Sequence, residues 1–148
     1  MENRSLKEKY VESNRRNPFV IRNGIEVEEV FPDRAVLRLK IGPDSMNLHG
    51  FVHGGALFTL ADNAAGSAAS TDGRFYVTQA SDIHFLRTQG EGLARAEARV
   101  RHRGKSTVLV DVSISGDEGK LLATASFSFF CMDGSETARS SLAARQQP

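Results

Sequence analysis

The residues able to do chemistry in this chain gather in positions 47–62, Asn-Leu-His-Gly-Phe-Val-His-Gly-Gly-Ala-Leu-Phe-Thr-Leu-Ala-Asp. Asp62 stands out. It lies inside the most apolar stretch of the sequence, flanked by Ala61, Ala64 and Ala65. A carboxylate in apolar surroundings costs free energy unless something pairs with it, and Asp is a mediocre helix former. Solvent exposure, a cationic neighbour or a capping role would each make such a residue ordinary, and charged side chains are rarely fully buried. No Lys or Arg occurs in positions 54–71, which removes the local partner. A buried, unpaired carboxylate acting as base or nucleophile becomes the better reading.

His53, Gly54 and Gly55 stand where that helix begins, and the first N–H groups of a helix lack intrahelical partners. Two glycines leave those N–H groups uncovered, and the helix dipole adds partial positive charge. This is the arrangement of an oxyanion hole, although a glycine pair alone also suits a flexible entry turn. Asn47 offers a second donor through its amide. Gly54 and Asp62 are eight residues apart, or about 12 Å along a helix. A base must act within about 3 Å of the water it activates, beside the carbonyl that the donors hold. One helix therefore serves only one end of a small reaction. Two copies packed antiparallel across a twofold axis would set Gly54 of one beside Asp62 of the other, so the spacing predicts a homodimer with two equivalent interface sites.

The elements that must hold these residues follow from periodicity. Leu57, Leu60, Ala61, Ala64 and Ala68 form a helical stripe within a helix predicted over 54–70. Its other residues are mostly small or apolar too, which predicts a helix wrapped on most sides, ended by Asp72 and Gly73. Before it, a short amphipathic helix is expected over 5–13, with Pro18 blocking its continuation. Strands are expected over 25–30 and 35–41, around a turn at Pro32 and Asp33. After it come strands over 75–86, 93–102, 106–115 and 121–131. The turn signals between them are short, at 89–92, 103–105 and 116–119, which reads as antiparallel neighbours. One long helix with about six antiparallel strands predicts an α+β layer fold, the sheet curled round the helix. The reading is one domain over 1–133, with 1–22 as an N-terminal helical extension and 134–148 as a frayed tail.

Bulk composition excludes several classes. The 148 residues suit one domain, long enough to bury a core without disulfides or structural metal. Charged residues make up 25% and the net charge is +1, so nothing points to nucleic acid. No apolar run is long enough for a membrane span, and the polar N-terminus does not read as a secretory signal. Cys131 is the single cysteine, and no Cys/His cluster has metal-ligand spacing. Cytoplasm is the default expectation, with no metal or cofactor.

The pattern Asn, Gly, His-Gly-Gly, then Leu-Ala-Asp across 47–62 resembles the hotdog-fold acyl-CoA thioesterases of the phenylacetate-degradation (PaaI-like) type. The resemblance runs through Ile83-His84-Phe85-Leu86, His102-Arg103-Gly104-Lys105-Ser106 and Gly119-Lys120-Leu121-Leu122-Ala123, and covers roughly 24–131. It implies a curved antiparallel sheet around one helix, dimers and often dimers of dimers, and cofactor-free hydrolysis of acyl-CoA. By position it makes Asp62 the general base or nucleophile. The Gly54 N–H, next to Gly55, and the Asn47 amide polarise the carbonyl, and His53 holds Asn47. A strand hydroxyl that positions water falls at Thr78, with Ser81 the neighbouring choice. The CoA phosphates would meet Arg103, Gly104, Lys105 and Ser106, a turn that also reads as an ordinary solvated hairpin. Phe51, Leu57, Phe58 and Phe85 are candidates for the acyl pocket. His49 reads as solvent-facing, and His84 and His102 as structural. A non-catalytic acyl-CoA-binding module and a hotdog dehydratase are the competing readings. The first usually accompanies a DNA-binding domain for which this chain has no room. The second resembles a pattern with a proline-containing approach loop that is absent here.

Overall fold

The computed structural model describes residues 5–133. The tail read over 134–148 lies outside the described residues. Helix α1 (Leu6–Arg15) starts at a capping box, in which Ser5 and Glu8 each bond the other's backbone N–H. Pro18 does interrupt it, and then opens a second short helix, α2 (Pro18–Arg22), from the first-turn position where a missing N–H costs nothing. Six strands follow: β1 (Ile25–Phe31), β2 (Arg34–Lys40), β3 (Tyr76–Phe85), β4 (Leu93–Arg103), β5 (Thr107–Ser115) and β6 (Leu121–Cys131). The long helix α3 (Gly54–Ala69) lies between β2 and β3 in the chain.

All pairings are antiparallel, in the order β1-β2-β4-β5-β6-β3. The inner face is buried at alternate positions: Ala35, Leu37 and Leu39 on β2, Ala94, Ala96 and Ala98 on β4, Val108, Val110 and Val112 on β5, Phe127 and Phe129 on β6. The helical stripe Leu57, Leu60, Ala61, Ala64 and Ala68 meets this face, each residue at most 2% exposed. Small side chains on both surfaces let α3 lie close against the middle of the sheet. This is the hotdog arrangement, a curved six-stranded antiparallel sheet around one helix.

Two expectations need correction. The turn signals at 89–92 do not join neighbouring strands, because β3 pairs with β6 at the far edge of the sheet and not with β4. The connection crosses the end of the sheet, where Leu86 and Arg87 N–H donate to Leu122 O and Gln89 O accepts from Val52 N–H. Nor is α3 wrapped on most sides. Phe58, Asp62, Asn63, Gly66 and Ser67 form a face that stays partly open in the single chain. Helix α1 covers only its far end: Tyr10 Oη and Ser70 Oγ are 2.7 Å apart. Ser70 already donates to Gly66 O, so Tyr10 is the donor.

Candidate active site

The start of α3 is built by its own cap. His53 has extended backbone angles, and its Nδ1 accepts the Gly55 N–H at 2.8 Å, which places the ring proton on Nε2. The Ala56 and Leu57 N–H groups both go to His53 O. The Gly54 N–H is then the one first-turn donor left without an acceptor among the described residues. The Phe85 ring packs against the Cα side of Gly54, where an added Cβ would come within 3.3 Å of it.

The 47–51 segment is a tight loop. Asn47 N–H donates to Phe51 O at 2.7 Å, and Asn47 Oδ1 accepts from the His49 and Phe51 N–H groups at 2.9 and 3.1 Å. Gly50 sits at φ 81°, a conformation glycine adopts without strain. The loop is fastened to α3 by a bridge between Met46 and Val52 and by the His53 N–H bonded to Ser45 O. With Oδ1 doubly engaged, the amide offers Nδ2, which has no acceptor among the described residues. Within the protomer it is these backbone amides that hold Asn47, while His53 is occupied with Gly55.

At the middle of α3, Asp62 is neither fully buried nor unpaired. It is half-buried, and the Thr78 hydroxyl donates to its Oδ1 at 2.6 Å. Thr78 pairs with Phe129, whose side chain is buried on the inner face, and a bulge in β3 follows between Thr78 and Ala80. Ser81, the alternative strand hydroxyl, pairs with Phe127 in the sheet and makes no bond to Asp62. Asp62 and Thr78 line a cleft of about 350 Å³ together with Asn63, Gly66 and Tyr10. Gly54 is not part of this cleft, being two turns of α3 away, so the single chain keeps donor and acid apart.

The 103–106 turn sits at the other end of α3, and its arginine faces inward. Arg103 donates to Asp33, to Asp72, to Tyr76 Oη and to the helix-end carbonyls of Ala68 and Ala69. The Gly104 and Lys105 carbonyls accept from Arg74, and Ser106 O accepts the Cys131 N–H. Arg103 is thus committed to closing the helix C-terminus, where carbonyls and the dipole favour a cation. As a phosphate contact, this turn offers the exposed Lys105 and Ser106 side chains. Burial pushes the Asp72 carboxyl up, but hydrogen bonds from Tyr76 and Arg74 and the charge of Arg103 outweigh it and hold the group at about 2. Burial, then the bond to Asp72, pushes the Tyr76 hydroxyl up to about 12, so it stays a donor. Phe58 packs on Phe127 with ring centroids 5.6 Å apart and keeps 36% exposure, and Phe85 keeps 52%. No group of His, Cys, Asp and Glu among the described residues is arranged to hold a metal, and no helix among them is long and apolar enough to cross a membrane.

Sequence reasoning did not find the cleft partners Asn63, Gly66, Ser67 and Ser70. A signal existed: these small and polar residues form a second stripe beside the apolar one, in register with Asp62.

The profile of the thioesterase superfamily matches residues 49–123, from the loop through α3 into β6. The chain belongs to the thioesterase superfamily. Acyl-coenzyme A thioesterase PaaI of Escherichia coli K12 is 36% identical over 101 residues, 68% of this thioesterase and 72% of that protein. The structure of E. coli PaaI superposes with a TM-score of 0.78 at 30% identity, over 88% of this chain and 98% of that one. A hypothetical thioesterase protein from Streptococcus pneumoniae TIGR4, solved with coenzyme A, gives a TM-score of 0.70 at 30% identity, over 72% and 84%. That pneumococcal protein has also been solved as two single alanine mutants, one of an aspartate and one of a threonine. Fold and family together make this chain a PaaI-like thioester hydrolase.

Proposed function

We propose that the thioester it hydrolyses is an acyl-CoA, and that the reaction runs between Asp62 of one subunit and the Gly54 N–H of the other. The observation that carries this is the Thr78–Asp62 bond at the mouth of a cleft. Thr78 fixes Oδ1, so Oδ2 is the oxygen free to react. As a general base, Oδ2 takes a proton from water, whose oxygen adds to the thioester carbonyl. As a nucleophile, it adds to that carbonyl itself, giving a mixed anhydride that water then opens. In both routes the carbonyl oxygen becomes an oxyanion, which the Gly54 N–H and Asn47 Nδ2 stabilise at the positive end of α3. The tetrahedral adduct collapses by breaking the C–S bond and expelling CoA thiolate.

Several observations support an acyl-CoA substrate. The E. coli relative is an acyl-CoA thioesterase, and the pneumococcal relative was solved with coenzyme A. The aspartate and threonine replaced in the pneumococcal mutants are separated by 16 positions, as Asp62 and Thr78 are here. Lys105 and Ser106 are the exposed groups we assign to the CoA phosphates.

The homodimer is supported by β3. It is an edge strand of 10 residues, exposed along most of its length and carrying Val77, Phe85 and an adjoining Leu86 at 39%, 52% and 54% exposure. A long apolar edge of this kind invites pairing with another chain. Antiparallel β3–β3 pairing would cover the open face of α3 and bring the two helices side by side, and such dimers can associate further into a dimer of dimers.

The experiment is Asp62→Asn with acyl-CoA turnover followed by thiol release. We expect hydrolysis to be abolished while circular dichroism and oligomer size are unchanged. Undiminished turnover would remove Asp62 from the reaction.

A further inference from the structure

The cleft beside Asp62 has a far end, and that end is built by the N-terminal extension. Asp62, Gly66 and Ser70 lie four residues apart along one face of α3, so the floor runs about 12 Å from the carboxylate to Ser70. There the Tyr10–Ser70 hydrogen bond crosses from α1 and closes it. Ser13 and Asn14 of α1 continue the same wall, and Phe75 and Phe129 supply apolar sides. Helix α1 is itself fixed, with Asn14 Nδ2 donating to Ile25 O at 3.0 Å.

Gly66 is the second observation. Glycine is the poorest helix former after proline, and here it sits within the last turn of a 16-residue helix rather than after it, where glycine usually serves as a cap. Packing does not require it. A Cβ added at Gly66 would meet only the Phe129 ring, at 3.7 and 4.0 Å, which is ordinary van der Waals contact. Backbone conformation does not require it either, since the position is helical. An alanine would fit the fold and favour the helix. What the missing side chain leaves is room in the cleft, one helical turn beyond Asp62.

We propose that Gly66 and Tyr10 determine acyl selection in this thioesterase. Gly66 sets the width of the acyl pocket, and the Tyr10–Ser70 contact sets its length, so a helix outside the hotdog core acts as the end wall. The inference rests on Asp62 reacting in this cleft. An acyl group bound with its carbonyl at Asp62 extends along Gly66 and stops at Tyr10.

The test is kcat/KM over a series of straight-chain acyl-CoAs, acetyl to decanoyl, with benzoyl- and phenylacetyl-CoA added. Gly66→Ala should lower kcat/KM roughly tenfold for the bulkiest good substrates, as expected for one methyl group in a fitted pocket. The loss should shrink steadily toward acetyl-CoA, and the thermal midpoint should not fall. Tyr10→Ala should do the opposite, moving the optimum to longer acyl groups. A Gly66→Ala loss equal for every acyl group, or no loss at all, overturns the inference whether or not Tyr10→Ala folds. Asp62→Asn, assayed alongside, separates the two levels. Persistent turnover in that variant overturns the reading beneath, whereas an inactive Asp62→Asn with unchanged selectivity in Gly66→Ala overturns this inference alone.

Discussion

Replacing Thr78 by valine removes one hydroxyl while keeping the side chain's branched shape, which an edge strand favours. In this structure that hydroxyl is the donor to Asp62 Oδ1 at 2.6 Å, a short contact typical of an O–H bonded to a carboxylate. Hydrogen bonds to charged groups contribute about 1.5–3 kcal/mol. Asp62 is only half-buried and Thr78 is exposed in the single chain, so the lower part of that range applies. A loss of about 1.5–2 kcal/mol of transition-state positioning lowers the rate roughly 10- to 30-fold. The effect belongs in kcat, because the hydroxyl orients the carboxylate and does not bind CoA. Initial rates of thiol release across a range of acyl-CoA concentrations separate kcat from KM, and Thr78→Ser should recover most of the loss by restoring the donor. A Thr78→Val enzyme with kcat within twofold of the parent, or with its whole deficit in KM, would refute this reasoning.

Gly54→Pro should remove the proposed oxyanion donor, with a small shift of the Phe85 ring, which a Cβ at Gly54 would approach to 3.3 Å. Gly54 is the first helical residue, where proline is tolerated, and His53 before it already has the extended backbone that a following proline needs. The expected result is a fall in kcat of roughly 10²- to 10³-fold in an enzyme that still folds and keeps its oligomer size. His53→Ala should cost about 1 kcal/mol in urea unfolding, because it deletes the cap on the Gly55 N–H. For Asp72 the folded carboxyl is held at about 2 against an ordinary 3.8. Its contribution is therefore full above the ordinary value and disappears as pH falls through about 2. After solvent screening this amounts to about 1 kcal/mol. Urea midpoints compared at pH 7 and pH 3 should fall further in the parent than in Asp72→Asn.

The parts legible in the sequence were those fixed by local pattern. Helix α3 was readable because its apolar and small residues repeat at helical spacing, and β6 because Phe127 and Phe129 alternate with serines. The loop at 47–52 was readable from Gly50 and Asn47, which carry turn chemistry in their own side chains and backbone. What local pattern could not carry was placement. The signals at 89–92 mark a chain reversal equally well whether the next strand lies beside β3 or three strands away, and sheet order is decided by which strands bury α3. Arg103 looked like a free cation on a hairpin because the acceptors that turn it inward, Asp33, Asp72 and the end of α3, are distant in sequence. Asp62 appeared unpaired for the same reason, its partner Thr78 lying on another element. The role of α1 in closing the cleft rests on one long-range contact, Tyr10 to Ser70, which periodicity does not encode.

The most direct measurement is complementation between two inactive variants. Asp62→Asn lacks the acid, and Gly54→Pro lacks the donor. If each site takes Asp62 from one subunit and Gly54 from the other, a mixed dimer holds one site with both defects and one site with neither. Equal amounts unfolded and refolded together give half mixed dimers, so about a quarter of parental turnover should return. Turnover in the mixture no higher than that of the separate variants would contradict the shared site.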